Sequence, residues 1–336
     1  MNETISQRVK QVQATAPQGK QLRIVPICGA SSAEPPYKLL DAATQQAVKV
    51  TEISTSGSVP ELKVENTLDV RVYLMDGQEL VGAKQNRILN TDVLVPAKTT
   101  ITIPVSCVEQ GRWRSVSAQF SSGKSASYRT RAAKSDRVYA ALKSSGRHDA
   151  DQGAVWDEVQ CSITASGAAS PTSALSDAYA KRDGELKTFR QKLRLPDDAV
   201  GLAVFHGDQF KGLDLFDRHN TLQYFWESLV DSYALDWLGA SIEEPVGKPG
   251  EETELQGVLK KILQRVARGT WEAFPPPGEG QDFRLQSRSL SGAALIWEGR
   301  VVLHLQVFPR QPGEQARNPY RPRIHRPYGR GPGIVQ

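Results

Sequence analysis

Between Gln21 and Val108, apolar and β-branched residues fall at alternate positions in short runs, and no other feature limits the fold of this chain as tightly. Period-two patterning sends successive side chains to opposite faces, as a half-buried strand requires. Four runs carry it: Gln21 to Ile27, Glu61 to Met75, Arg87 to Val95 and Thr99 to Val108. Asn66-Thr67 breaks the second run, Asp76-Gly77 follows it, and Pro96-Ala97-Lys98 precedes the last. Turn chemistry of this kind points to an antiparallel group. One helix, about Leu39 to Lys49, is expected to interrupt it.

From Ser115 to Pro171 the composition shifts to Ser, Ala, Lys and Arg, with helices expected over Ala132 to Lys143 and Val155 to Ala165. A further helix, Leu175 to Leu193, places Leu175, Tyr179, Leu186, Phe189 and Leu193 near one stripe. The last third returns to strands, with Gly201 to Phe205 and Gln209 to Phe216 joined at Gly207-Asp208 as a hairpin. Helices over Asn220 to Leu238 and Glu252 to Ala267 follow, and strands Gly292 to Trp297 and Val301 to Phe308 close the fold. The acidic, proline-broken stretch Ser241 to Glu251 reads as a loop.

The fold class expected is therefore α+β, a single domain over 19–308. It has an antiparallel β-rich part (19–114), a helical part (115–200) and a hairpin–helix–strand part (201–308). A chain of 336 residues buries enough core to stand without metals or disulfides. Cys28, Cys107 and Cys161 are odd in number and widely spaced, so neither a disulfide framework nor a zinc site is encoded and no metal is expected.

The net charge of +5 belongs to the end of the chain. Residues 309–336 hold Arg310, Arg317, Arg321, Arg323, Arg326 and Arg330 against one acid, Glu314. Removing these from the 42 basic and 37 acidic residues leaves 36 of each, so the body is neutral and gives no compositional case for a nucleic-acid-binding fold. The Arg/Pro-rich tail itself is expected to be disordered. Met1 to Lys20 is polar, lacks the apolar core of a secretory signal, and reads as a short helix or frayed arm. With no apolar run near the ~18 residues that span a bilayer, the expected location is the cytoplasm.

The stretch from Gly77 to Trp113 crowds hydrogen-bonding side chains between apolar strands. Glu79, Lys84, Gln85, Asn86, Arg87 and Asn90 supply an acceptor, two cations and three amides, the mixture a phosphate or ribose site needs. Gly77 and Gly82 allow backbone N–H groups close to an anion, and Arg87 offers a bidentate fork. The alternative is a solvated edge hairpin whose charges discourage strand pairing. Neither a P-loop nor a Rossmann turn is matched.

Beyond it, Cys107, Glu109, Arg112 and Trp113 sit where a strand runs into a loop. Cys107 is either a nucleophile or a small buried hydrophobe, and Glu109 a base or ribose ligand. Asp214 and Asp217 flank a strand-to-helix corner, where they bind a ligand or metal, act as acid and base, or, for Asp217, cap the helix. Asp151-Gln152-Gly153 has the look of a helix start. The basic run Lys124, Arg129, Arg131, Lys134 and Arg137 either holds phosphates or forms a solvated face. His304 lies on an alternating strand and reads as a satisfied sheet residue; His206 reads as exposed.

Three motifs carry a family resemblance: Ser58 to Asn66, Asp76 to Asn90 and Ile103 to Trp113. Shorter ones follow at Asp151 to Trp156, Gly212 to Asp217 and Ser232 to Asp236. On these the chain, from about Gly19 to Phe308, resembles the ADP-ribosylglycohydrolase- and rhodanese-phosphatase-associated protein domain family. The resemblance implies a setting of ADP-ribose and NAD-linked metabolism and supplies no established reaction. The expectation that follows is binding, with processing open, of an ADP-ribose-like or other nucleotide-derived phosphorylated ligand. Lys84 and Arg87 would hold phosphates, Asn86 and Asn90 ribose hydroxyls, and Glu79, Glu109 or Cys107 would be the catalytic groups. Gly77, Gly82, Gln85, Arg112, Trp113, Asp214 and Asp217 complete the candidate site. The alternative is an interaction module whose 309–336 tail recruits an acidic partner or RNA.

Overall fold

The computed structural model describes residues 2–54, 56–239 and 252–310. Three sheets share the strands. An antiparallel sheet of eight runs in the order β1 (Gln13–Ala14), β2 (Leu22–Cys28), β12 (Ala199–His206), β13 (Gln209–Phe216), β17 (Val301–Pro309), β16 (Leu290–Trp297), β15 (Gln281–Gln286) and β14 (Trp271–Phe274). A closed barrel runs β10 (Thr99–Cys107), β5 (Glu61–Asn66), β4 (Val48–Glu52), β11 (Phe120–Ser125), β7 (Gln78–Gly82) and β8 (Arg87–Leu89). A small sheet joins β3 (Tyr37–Leu39), β6 (Arg71–Leu74) and β9 (Val93–Val95), with β3 parallel to β6.

The α+β class and the antiparallel sheets agree with the reading of the sequence, but the expected single β group is in truth divided among three sheets. Glu61 to Met75 breaks into β5, in the barrel, and β6, outside it; Arg87 to Val95 breaks likewise into β8 and β9. No helix forms over Leu39 to Lys49. There Asp41 accepts hydrogen bonds from the N–H groups of Ala43 and Thr44, while Thr44 Oγ1 bonds Leu39 O, which locks a turn between β3 and β4.

Helices α1 (Glu3–Lys10) and α6 (Glu252–Arg268) cover one face of the large sheet. Ile5 and Val9 of α1 join Leu255, Leu259, Ile262 and Val266 of α6 over Val25, Phe205 and Leu305, so the N-terminal segment is a docked helix and not a frayed arm. On the other face lie α2 (Tyr128–Ser145), α3 (Gln152–Ser166), α4 (Leu175–Arg190) and α5 (His219–Gly239), whose apolar residues merge with those of β2, β12 and β17. Ser127 caps α2, Gly146 ends it in a left-handed conformation, and Asp151 caps α3 as its sequence suggests.

The barrel keeps a separate core, with Val50, Leu62, Val64, Leu80, Leu89, Ile103 and Phe120 inside. Six strands leave room for side chains only. The expected loop, 241–251, lies outside the described residues. Of the expected tail, Pro309 ends β17 and Arg310 pairs with Asp136 at 3.1 Å; 311–336 lie outside the described residues. Among the described residues no helix is long and apolar enough to cross a membrane.

Candidate functional site

Strand register sorts the candidates. In the barrel wall Leu80 pairs with Arg87 and Glu79 with Ile88, and directly paired residues share a face. Leu80 points into the barrel, so Arg87 does too, together with Cys107, its partner on β10. Glu79 faces outward. The two charges are thus on opposite sides of one wall, and the candidates do not share a single concavity.

Arg87 closes one end of the barrel. Its side chain is fully buried, and Nη1 donates to Gln85 O at 3.2 Å and Gln85 Oε1 at 3.0 Å. Nε and Nη2, the edge that forms a bidentate fork, meet no partner among the described residues. Burial pulls its pKa down, against the pull of Cys107 and Glu52. Trp113 lies over this cation at 5.8 Å and over Lys84 Nζ at 5.2 Å, yet the indole is 48% exposed. Lys84 Nζ also donates to Ser56 O at 2.6 Å. Glu52, at the end of β4, accepts from Lys84 N at 3.3 Å through Oε1 while its Oε2 is buried and unpartnered. Glu52 lay outside the polar motif in sequence; its position two residues beyond Val50 on the inward face of β4 was the signal.

On the outer side of the wall Glu79 sits in a cleft of about 270 Å³ with Val81, Gly123, Lys124 and Tyr179. Burial, then the negative charge of Glu109, push its pKa up to about 7. Asn86 Nδ2 donates to it at 3.4 Å. Burial also opposes the charge on Glu109, but Arg112 overrides it, donating at 2.7 Å and 2.6 Å, and the pKa falls. Asn86 N and Thr172 Oγ1 add bonds to Glu109 of 3.1 Å and 3.0 Å, so this carboxylate is a fixed structural acceptor. Burial raises the Cys107 thiol, which makes it a poor nucleophile.

Asn90 and Asp214 belong elsewhere, to an ionic network sealed between barrel, α2 and large sheet. Lys134 bonds Asp76 and Asn90 O, and Arg131 bonds Asp214. Arg284 bonds Asp282 at 2.8 Å, as does His148. His304 links Asp92 at 3.0 Å to Asp214 at 3.2 Å. Burial works against a charge on His304, but Asp92 and Asp214 outweigh it and lift the pKa to about 9. Asp214 is conversely held at about 2 because Arg131 and His304 outweigh its burial.

The basic run is therefore not a solvated face at Arg131 and Lys134, which are both fully buried. Asp217 spends its oxygens on Tyr37 Oη at 2.6 Å and Arg218 Nε at 2.7 Å, apart from Asp214. Gly77 is required by the network: its φ is +78°, and a Cβ would meet Arg131 Cγ at 2.9 Å. Gly82 has φ +130° and lies against Ser117 Oγ. His206 is half-buried, and His304 is a satisfied core residue as its strand suggests.

Comparisons of the chain with curated proteins and with solved structures found no match in either. A sequence model of one family matches residues 11–308, beginning ahead of Gly19 and covering the barrel, helices α2 to α6 and the strands of the large sheet up to Phe308 in β17. The chain belongs to the family of the ARG and Rhodanese-Phosphatase-superfamily-associated Protein domain.

Proposed function

We propose that the protein binds an ADP-ribose-like or other nucleotide-derived phosphorylated ligand at the Arg87 end of the barrel. The observation that carries the reading is the buried, unpartnered Nε–Nη2 edge of Arg87. Leaving a charged donor pair unsatisfied in the interior costs on the order of 1–3 kcal/mol per group, and a phosphate matching the fork would offset it. Trp113, half exposed with its ring 5.8 Å from the guanidinium, offers a face for a nucleobase. Glu52 Oε2 is an acceptor suited to a ribose hydroxyl.

The reading is one of binding. Processing would fall to Glu79, whose pKa of about 7 suits proton transfer, but Glu79 faces the opposite side of the wall. Calorimetry and Trp113 fluorescence with ADP-ribose, NAD and inorganic phosphate test the proposal. Arg87→Met is expected to weaken binding by about 10- to 100-fold, the worth of a charged hydrogen-bonded pair. Absence of binding by all three ligands, or unchanged affinity in Arg87→Met, overturns it.

A further inference from the structure

On the outer face of the barrel, β11 is out of step with its partner β7. Ser122 pairs with Leu80 and Ser125 with Gln78, so Gly123 and Lys124 together oppose Glu79. A bulge of this kind bends the strand and re-aims its side chains. Here it borders the cleft of about 270 Å³ in which Glu79 lies, with α4 as the far wall. Val81, Ala180 and the ring of Tyr179 give the cleft apolar sides, and Ser176 and Asp183 stand beside them on α4. A Cβ on Gly123 would fall 3.0 Å from Glu79 Oε2 and 2.7 Å from Val81 Cγ2, so the bare backbone at this position is what leaves the carboxyl group open.

Glu79 is only 3% exposed, and the hydrogen bond it accepts from Asn86 at 3.4 Å goes to Oε1. Among the described residues Oε2 has no hydrogen-bond partner, and no cation pairs with either oxygen. Lys124, the cation of the cleft, is engaged elsewhere: its Nζ donates to Asp231 at 2.8 Å and lies 3.9 Å from Asp183. Asp183 at the rim adds negative potential, which draws cations in. We propose that the cleft binds a small organic ammonium, a primary amine on a short apolar body, whose charged head meets Glu79 Oε2 while Val81, Tyr179 and Ala180 enclose the rest. The bound head would supply the counter-charge that this buried carboxylate lacks. A volume just below the range of about 300–1,000 Å³ typical of drug-sized ligands calls for a molecule smaller than a nucleotide. A metal ion fits less well, since no group of three or more His, Cys, Asp or Glu among the described residues could hold one. The cleft lies across the barrel wall from Arg87 and stands or falls independently of that site.

An ammonium binds the ionised carboxylate, so affinity should follow the titration of Glu79 near pH 7 and rise about tenfold from pH 6 to pH 8. The titratable groups around it are Glu109 and Arg112 from the loop after β10, Lys124 from β11, Tyr179 and Asp183 from α4, and Asp231 from α5. Glu109 is held below the usual carboxylate range and Tyr179 is pushed well above the usual phenol range, so neither changes charge over that interval. The test is a titration of the full chain with butylamine, and with butanol as its uncharged counterpart, followed by the chemical shifts of the small molecule. Butylamine at pH 8 should bind at least about tenfold more tightly than butanol. Glu79→Gln, which keeps shape and removes charge, should weaken butylamine binding at least about tenfold and abolish its pH dependence. Gly123→Val, which places a side chain over Oε2, should block the cleft from the other strand. No butylamine binding at pH 8, equal binding of butanol, or unaltered affinity in either variant overturns the proposal.

Discussion

The barrel end and the network beneath α2 both bury arginine, and they do so in opposite ways. Arg131 faces a carboxylate in close contact, a second acceptor in Gln306 at 3.1 Å, and His304 beyond. Arg87 hydrogen-bonds, among the described residues, only the neutral oxygens of Gln85 and pairs with no carboxylate in contact. Where opposite charges meet, removing one partner strands the other, at about 3–5 kcal/mol. Where a cation is buried without a counter-charge, its removal relieves desolvation and the protein gives up little. The first pattern joins sheet, helix and barrel; the second is the feature on which the proposed anion site rests.

That contrast breaks most readily at Arg131. Arg131→Met should cost about 3–5 kcal/mol by urea unfolding, because buried Asp214 loses the guanidinium in contact with it. A loss below about 1 kcal/mol would remove the distinction between the two regions.

The next largest effect is a pH dependence. His304 has a folded pKa of about 9, above its unfolded value of 6.5, so its contribution is complete below 6.5 and disappears as pH rises through 9. The shift corresponds to about 3 kcal/mol. Unfolding free energy measured between pH 6 and pH 10, and again in His304→Gln, should show a fall with rising pH that the variant lacks.

The smallest expected change sharpens the comparison from the other side. Arg87→Met should alter stability by less than about 1 kcal/mol in either direction, measured as a urea midpoint, even as it weakens the proposed ligand binding. A loss as large as that of Arg131→Met would make Arg87 a structural cation.

The two regions also differ in how far they were legible in sequence. The polar residues around Arg87 are close together in the chain, so Gln85, Asn86, Arg87 and Glu109 stood out as a block among apolar strands. The network draws on Asp76, Asp92 and Asp282, which look ordinary beside their neighbours, and on Lys134, Asp214 and His304, which stand out singly in sequence but give no sign that they meet. One trace was present: Arg131, Lys134, Val138 and Leu142 recur at helical spacing, which extends the buried stripe of α2 into its charged residues. The helices and the β12–β13 hairpin were readable from periodicity and turn residues. Strand β11, Phe-Ser-Ser-Gly-Lys-Ser, was not, since it has one large apolar side chain and its pairing is decided by β7. Strands β14 and β15 went unread as well, and the division of long runs between barrel and small sheet depends on closure, which no local pattern records.

Helix α1 has a practical consequence. The family match begins at residue 11, yet residues 3–10 bury Ile5 and Val9 against α6 and send Arg8 to Ala30 O at 2.8 Å. A fragment trimmed to the matched boundary would present the greasy flank of α6 to water and invite self-association, so the smallest well-behaved expression product starts ahead of α1.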